Sequence, residues 1–247
     1  MDGQRINELL RHVYQRLLER YGPQHWWPAR EPFEVIVGAI LTQSTAWTNV
    51  EKAIKNLRSA GKLSPEALRS LPEVELAALI RPCGYYNVKA RKLKAFIHWL
   101  GEHYDDNLDE MFTSEIEHLR KQLLDIYGIG EETADSIILY AGNKPVFVID
   151  TYTRRIIDRI GLTPRNHSYA GYQDLFTANL PADTGLFNEY HALLVRHAKE
   201  VCRKSPVCQH CCLNPEEITI KGKTGTIYPC SIYIRRLKPL RPFQLAR

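Results

Sequence analysis

The segment from Leu123 to Tyr140, LLDIYGIGEETADSIILY, constrains the fold of this chain more than any other. An apolar helical pattern runs into Gly128-Ile129-Gly130. A second helix then opens with Glu131 and Glu132 in its first turn. Two glycines around one apolar residue permit a tight turn with unusual φ, and Ile129 can plug the angle between the two helices. The amides of such a turn point outward at a helix N-terminus, which suits an anion without any basic side chain. A DNA phosphate fits that description. The competing reading is a plain connector whose glycines serve geometry alone.

Most of the chain also reads as helix. Ile6, Leu9, Leu10, Val13, Leu17 and Leu18 follow the 3, 4, 7 spacing of an amphipathic helix, and Tyr21-Gly22-Pro23 stops it. Phe33 to Leu41 is strongly apolar and reads as a buried helix; Thr48 to Ala60 continues helically. Ser64-Pro65-Glu66 is a helix start with Ser as cap. Further helices are expected over Asn87 to Tyr104 and Ser114 to Tyr127. No stretch shows the period-2 alternation of a sheet, and Pro145–Ile149 reads as an extended link. The expected fold class is all-α.

Charge gives less than it first promises. The 247 residues carry a net +5, which invites a nucleic-acid reading. Yet seven Lys/Arg and no acid lie between Thr219 and Arg247, leaving 26 basic against 28 acidic residues before them. The body of the chain is therefore not basic, and the argument for DNA must come from motifs. One local patch does stand out: Asn87 to Lys94 carries Lys89, Arg91, Lys92 and Lys94 with no acid. Either a solvated helix face or a phosphate contact explains it. The composition, 25% charged and 44% hydrophobic, excludes a disordered chain, and no run is long and apolar enough for a membrane span. The charged N-terminal segment does not read as a secretory signal.

After Tyr140 comes Val148-Ile149-Asp150-Thr151-Tyr152. An aspartate directly after apolar residues is an odd place for a solvated charge. It reads as a helix N-cap, and a capping carboxylate facing a cleft would also be well held for chemistry.

The pattern L-x-x-I-x-G-I-G-x-x-T-A followed by V-I-D-T resembles the helix-hairpin-helix (HhH-GPD) DNA glycosylases of the endonuclease III superfamily. The likeness covers about residues 5–212. Trp26-Trp27-Pro28, the segment from Gly38 to Gln43, and Gly84-Tyr85-Tyr86-Asn87 are most similar to the bacterial 3-methyladenine glycosylase branch. The resemblance implies a two-lobed fold. A six-helix barrel lobe would span 29–143, and a discontinuous lobe would join 1–28 to 144–230, with a basic tail over 231–247. It implies double-stranded DNA with a damaged base as partner, bound in a cleft, and Asp150 as the catalytic carboxylate. Gln43 would fill the space left by the flipped base, with Trp26, Trp27 and Pro28 walling the base pocket. Adjacent tryptophans on a helix face apart, so one of the two is expected there; Trp47 is a weaker candidate. Gly128, Ile129, Gly130, Thr133, Lys89 and Arg91 are the expected DNA contacts.

Members that also cleave the strand carry a lysine two residues after the second hairpin glycine. Glu132 stands there, and a carboxylate cannot form an imine. A monofunctional glycosylase acting on an alkylated purine is expected. The rivals are a pyrimidine-damage glycosylase with lyase activity and a non-catalytic DNA-binding protein. The expected protein is a monomer, cytoplasmic and nucleoid-associated, with no membrane.

Clustered cysteines suggest a metal where thiols stay reduced. Cys202-x5-Cys208-x2-Cys211 is similar to the family's iron–sulfur loop, but position 217 of the usual spacing holds Glu217, so Cys230 becomes the candidate fourth ligand. A [4Fe–4S] cluster is expected first, zinc second and no metal third. Cys83 reads as a buried thiol.

Overall fold

A computed structural model describes residues 3–29 and 31–213, together with the backbone of 217–220 and 223–226. The tail over 231–247 and Cys230 lie outside the described residues. The body is all-helical. The helices are α1 (Gly3–Tyr21), α2 (Pro32–Thr42), α3 (Trp47–Ser59), α4 (Pro65–Ser70), α5 (Glu73–Leu79) and α6 (Tyr86–Tyr104). They continue with α7 (Leu108–Thr113), α8 (Ile116–Asp125), α9 (Glu131–Ser136), α10 (Thr151–Arg159), α11 (Tyr169–Thr177) and α12 (Thr184–Glu200). A π-turn, Ile137–Ala141, prolongs α9. The segment 145–149 is neither helix nor strand. After Leu213, Glu217–Ile220 pairs antiparallel with Lys223–Thr226. None of the described helices is long and apolar enough to cross a membrane.

The chain divides into two compact units. One comprises the residues up to Gln24, Ile149–Pro181 and the chain from Glu189 onward; the other is His25–Val148 with Ala182–Asn188. The sequence boundaries of 29 and 143 thus move outward to 25 and 148, and a short return segment joins the second unit.

The His25–Val148 unit is built around α2. Residues Phe33 to Leu41 are all buried, so this helix is enclosed rather than amphipathic. Pro32 sits in its first turn, where its missing N–H costs nothing. Helices α3 and α6 and the π-turn surround α2, contributing Val50, Ile54, Leu57, Leu93, Phe96, Ile97, Ile137 and Ile138 to one core. The buried Glu34 carboxylate is paired with Arg58 at 2.6 Å. Ser64 caps α4 through its side chain, as its position implied.

In the other unit, α1 buries Leu9, Leu10, Val13 and Leu17 along one stripe. Tyr190 of α12 is fully buried beneath it and donates its hydroxyl to the Leu10 carbonyl at 2.8 Å. Burial pushes that phenol's pKa well up. Phe176 of α11 meets Tyr190 edge-on at 5.5 Å.

Candidate DNA-repair site

The hairpin forms as its glycines require. Helix α8 ends at Asp125, Gly128 takes φ +81°, and Gly130 caps α9. Ile129 is buried in the angle between the helices. The two arms are locked by a contact that the sequence pattern did not reveal. Arg120 of α8 grips the fully buried Asp135 of α9 at 2.6 and 3.2 Å, and lies 3.7 Å from Glu131. Glu132 is exposed in the first turn of α9, where an acid favours the helix dipole.

Gln43 follows the last residue of α2 and reaches the hairpin. Its Nε2 donates to the Gly128 carbonyl at 3.0 Å and to Thr133 Oγ1 at 2.9 Å. Lys92 Nζ donates to Gln43 Oε1 at 2.5 Å. Thr133, expected at DNA, is buried, and its hydroxyl accepts from Gln43.

The basic patch on α6 divides by direction. Lys89 was expected at a phosphate, but it is buried, and its ammonium donates to the Leu41 and Cys83 carbonyls at 2.9 Å and to Thr45 Oγ1 at 2.6 Å. It closes the C-terminal end of α2, where helix carbonyls lack partners. Burial lowers its pKa. Lys94 similarly donates to the carbonyls of Leu68, Arg69 and Leu71 at the end of α4. Arg91 is exposed, as a phosphate contact requires. Tyr85, at the start of α6, is 74% exposed with φ +46°.

Trp26 and Trp27 lie in a non-helical stretch, and both rings join one aromatic cluster. Trp47 is 5.7 Å from Trp26 and 5.1 Å from Trp27, and Tyr140, carried by the π-turn, is 5.2 Å from Trp27. The Trp27 ring lies 3.2 Å from where a Cβ at Gly38 would stand, so this glycine lets the indole lie against α2. Pro28 is exposed. Gln43 and Trp47 lie on different elements, since α2 ends at Thr42 and Trp47 opens α3.

In the other unit, Asp150 caps α10. Its Oδ1 accepts from the Thr153 amide at 2.6 Å, and its Oδ2 lies 3.8 Å from His191 Nε2. Asp150 is 9% exposed and His191 is buried. Burial lowers the His191 pKa, against the opposing pull of Asp150 and with a smaller lowering from Lys199.

Cys202 and Cys208 are buried and Cys211 is half-buried. Arg159 Nη1 lies 3.2 Å from Cys202 Sγ, and Cys211 Sγ is 3.4 Å from His197 Nε2. Arg155 and Arg159 also donate to the Cys202 carbonyl, and Arg159 to that of Arg203. The loop after α12 is thus braced by two arginines of α10. Among the described residues, no three His, Cys, Asp or Glu groups gather closely enough to hold a metal ion. The thiols suit iron or zinc in kind, but the described ones do not complete a ligand set.

A glycine hairpin between two helices of an all-helical body is the arrangement of the helix-hairpin-helix class that the sequence resembles. The chain belongs to the HhH-GPD superfamily of base excision DNA repair proteins, whose pattern matches residues 37–181. It is 44% identical over 206 residues to a Methanocaldococcus jannaschii protein named as a candidate DNA repair glycosylase, covering 83% of this chain and 93% of that one. It is 26% identical over 209 residues to endonuclease III of Thermotoga maritima, covering 84% and 90%. Among solved structures, the fold matches H. pylori 3-methyladenine DNA glycosylase bound to 1,N6-ethenoadenine with a TM-score of 0.65 and 26% identity, over 81% of this chain and 98% of that one. A trapped endonuclease III–DNA covalent intermediate matches in fold with a TM-score of 0.70 at 22% identity, over 83% and 92%.

Proposed function

We propose that the protein is a monofunctional DNA N-glycosylase that removes an alkylated purine, with Asp150 as its catalytic carboxylate. The observation that carries this reading is the state of Asp150 in a chain of this family. One carboxylate oxygen is spent on the Thr153 amide, and the other faces His191 on a nearly buried residue. A carboxylate held in this way can stabilise positive charge developing on the sugar as the base departs, or activate a water.

The choice of base rests on chemistry. Extruding a nucleotide costs a few kcal/mol, and an alkylated purine recovers part of that by stacking its electron-poor ring on an indole. Trp26, Trp27, Trp47 and Tyr140 offer such a surface, and Gln43 at the hairpin would occupy the vacated stack. The neighbour from H. pylori, a 3-methyladenine glycosylase, supports the same substrate class. Its glycosidic bond is already weak, so one carboxylate suffices. Glu132, where strand-cleaving members carry lysine, supports base release without an imine. Gly128 to Gly130 and Arg91 would meet phosphate. Cys202, Cys208 and Cys211 would hold a [4Fe–4S] cluster with Cys230 as fourth ligand. That group would stiffen the loop bearing Arg203 and Lys204, and base release needs no redox step. Iron and zinc analysis, with the visible absorption spectrum, tests this.

A lesion panel under single-turnover conditions, scored with and without alkali, tests the whole reading. Alkylpurine release that needs alkali for strand cleavage is expected. Asp150→Asn should abolish release and keep duplex binding. Release of an oxidised or deaminated pyrimidine, or a borohydride-trapped covalent product, would replace this reading with a lyase acting on pyrimidines.

A further inference from the structure

We infer that Lys92 is the positioning residue of Gln43: it fixes which way the glutamine amide faces and so presets the side chain at the hairpin. This rests on the proposed role of Gln43 in filling the vacated stack. The terminal amide has two ends of nearly equal shape, one accepting and one donating. The Lys92 ammonium can only donate, so its contact at 2.5 Å forces Oε1 toward α6. The Nε2 end is then left to face the hairpin, where the Gly128 carbonyl and Thr133 Oγ1 accept its hydrogens. Three elements thereby converge on one side chain: α6, the glycine turn and α9.

The glycine turn is shaped for this. A Cβ at Gly128 would stand 2.4–2.6 Å from Cγ, Cδ and Cε of Lys92. The lysine stem therefore crosses the turn over the place where any other residue would carry a side chain. Gly128 has two duties, its φ of +81° and the passage of Lys92. With its ammonium engaged at Gln43, Lys92 serves the hairpin rather than a phosphate.

The test uses a duplex containing 1,N6-ethenoadenine with 2-aminopurine beside it. It reads extrusion by 2-aminopurine fluorescence and release by single turnover. Lys92→Met should lower both about 5- to 10-fold, Gln43→Ala should do the same, and the double variant should be no worse than either single one, because both remove one interaction. Lys92→Arg should recover most of the loss. In the DNA-free protein the Gln43 side-chain amide resonances should shift in Lys92→Met and return in Lys92→Arg. Wild-type behaviour in Lys92→Met, or additive losses in the double variant, would overturn the inference while leaving the glycosylase reading intact. Absence of both extrusion and release in the wild-type protein would overturn both.

Discussion

Lys89→Met separates a structural lysine from a DNA-binding one. The wild-type ammonium makes three hydrogen bonds inside the His25–Val148 unit, two of them to carbonyls. Thr45 Oγ1 also donates to the Cys83 carbonyl, at 2.5 Å, so that oxygen keeps a partner when the lysine is removed. The Leu41 carbonyl, at the end of α2, loses its ammonium partner. An unsatisfied buried acceptor costs about 1–3 kcal/mol, and hydrogen bonds to a charged group contribute about 1.5–3 kcal/mol each. Relief from burying the ammonium offsets part of this, since burial already lowers its pKa. The net expectation is a loss of about 2–3 kcal/mol, or a fall in Tm of about 5–10 °C for a chain of this size. Between the lowered folded pKa and the ordinary value of 10.5, the unfolded chain binds more protons at this site. Wild-type stability from this group therefore rises with pH there, and the variant should lack that rise. Thermal unfolding at several pH values, with duplex affinity across a salt series, makes the measurement. An unchanged Tm with a salt slope reduced by about one unit would refute the reasoning and return Lys89 to the phosphate backbone.

Arg91→Ala should do the opposite: stability within about 0.5 kcal/mol of wild type, and a salt slope lower by about one unit, read by fluorescence anisotropy. Gly128→Ala places a side chain at φ +81° and against the Lys92 stem, and should cost about 1–3 kcal/mol in chemical unfolding; a neutral result would remove the steric account. His191 is held neutral by burial, its pKa below the ordinary 6.5, so the unfolded chain takes up the proton first as pH falls. Stability from this group is complete above that value and is lost below it. His191→Gln should flatten the acid limb of a stability–pH curve, and an unchanged limb would place the acid sensitivity elsewhere.

Local signals carried much of this protein. The glycine pair and apolar Ile129 dictated the hairpin because backbone freedom and a buried plug are properties of three adjacent residues. Asp150 could be read as a cap because capping is settled within a few positions of the chain. The strongly apolar run of Phe33 to Leu41 marked the central helix for a similar reason, since a helix enclosed on all sides admits no polar face; its one charge, Glu34, is buried against Arg58.

Direction and partnership had to wait for the fold. Lys89, Lys92 and Lys94 look alike in sequence, yet two close helix ends and one holds a glutamine, because α6 turns them toward different neighbours. Arg120 and Asp135 are separated by the hairpin they lock. The two tryptophans face one cluster because their stretch is not helical, and the π-turn brings Tyr140 to them. The sequence by itself determined most helices before the hairpin, the caps at Ser64 and Asp150, and the hairpin itself, all of which are short-range. Which charges are solvated and which are consumed within the protein was decided by tertiary packing, because an ammonium goes wherever the nearest unpaired carbonyl leaves it least exposed to desolvation cost.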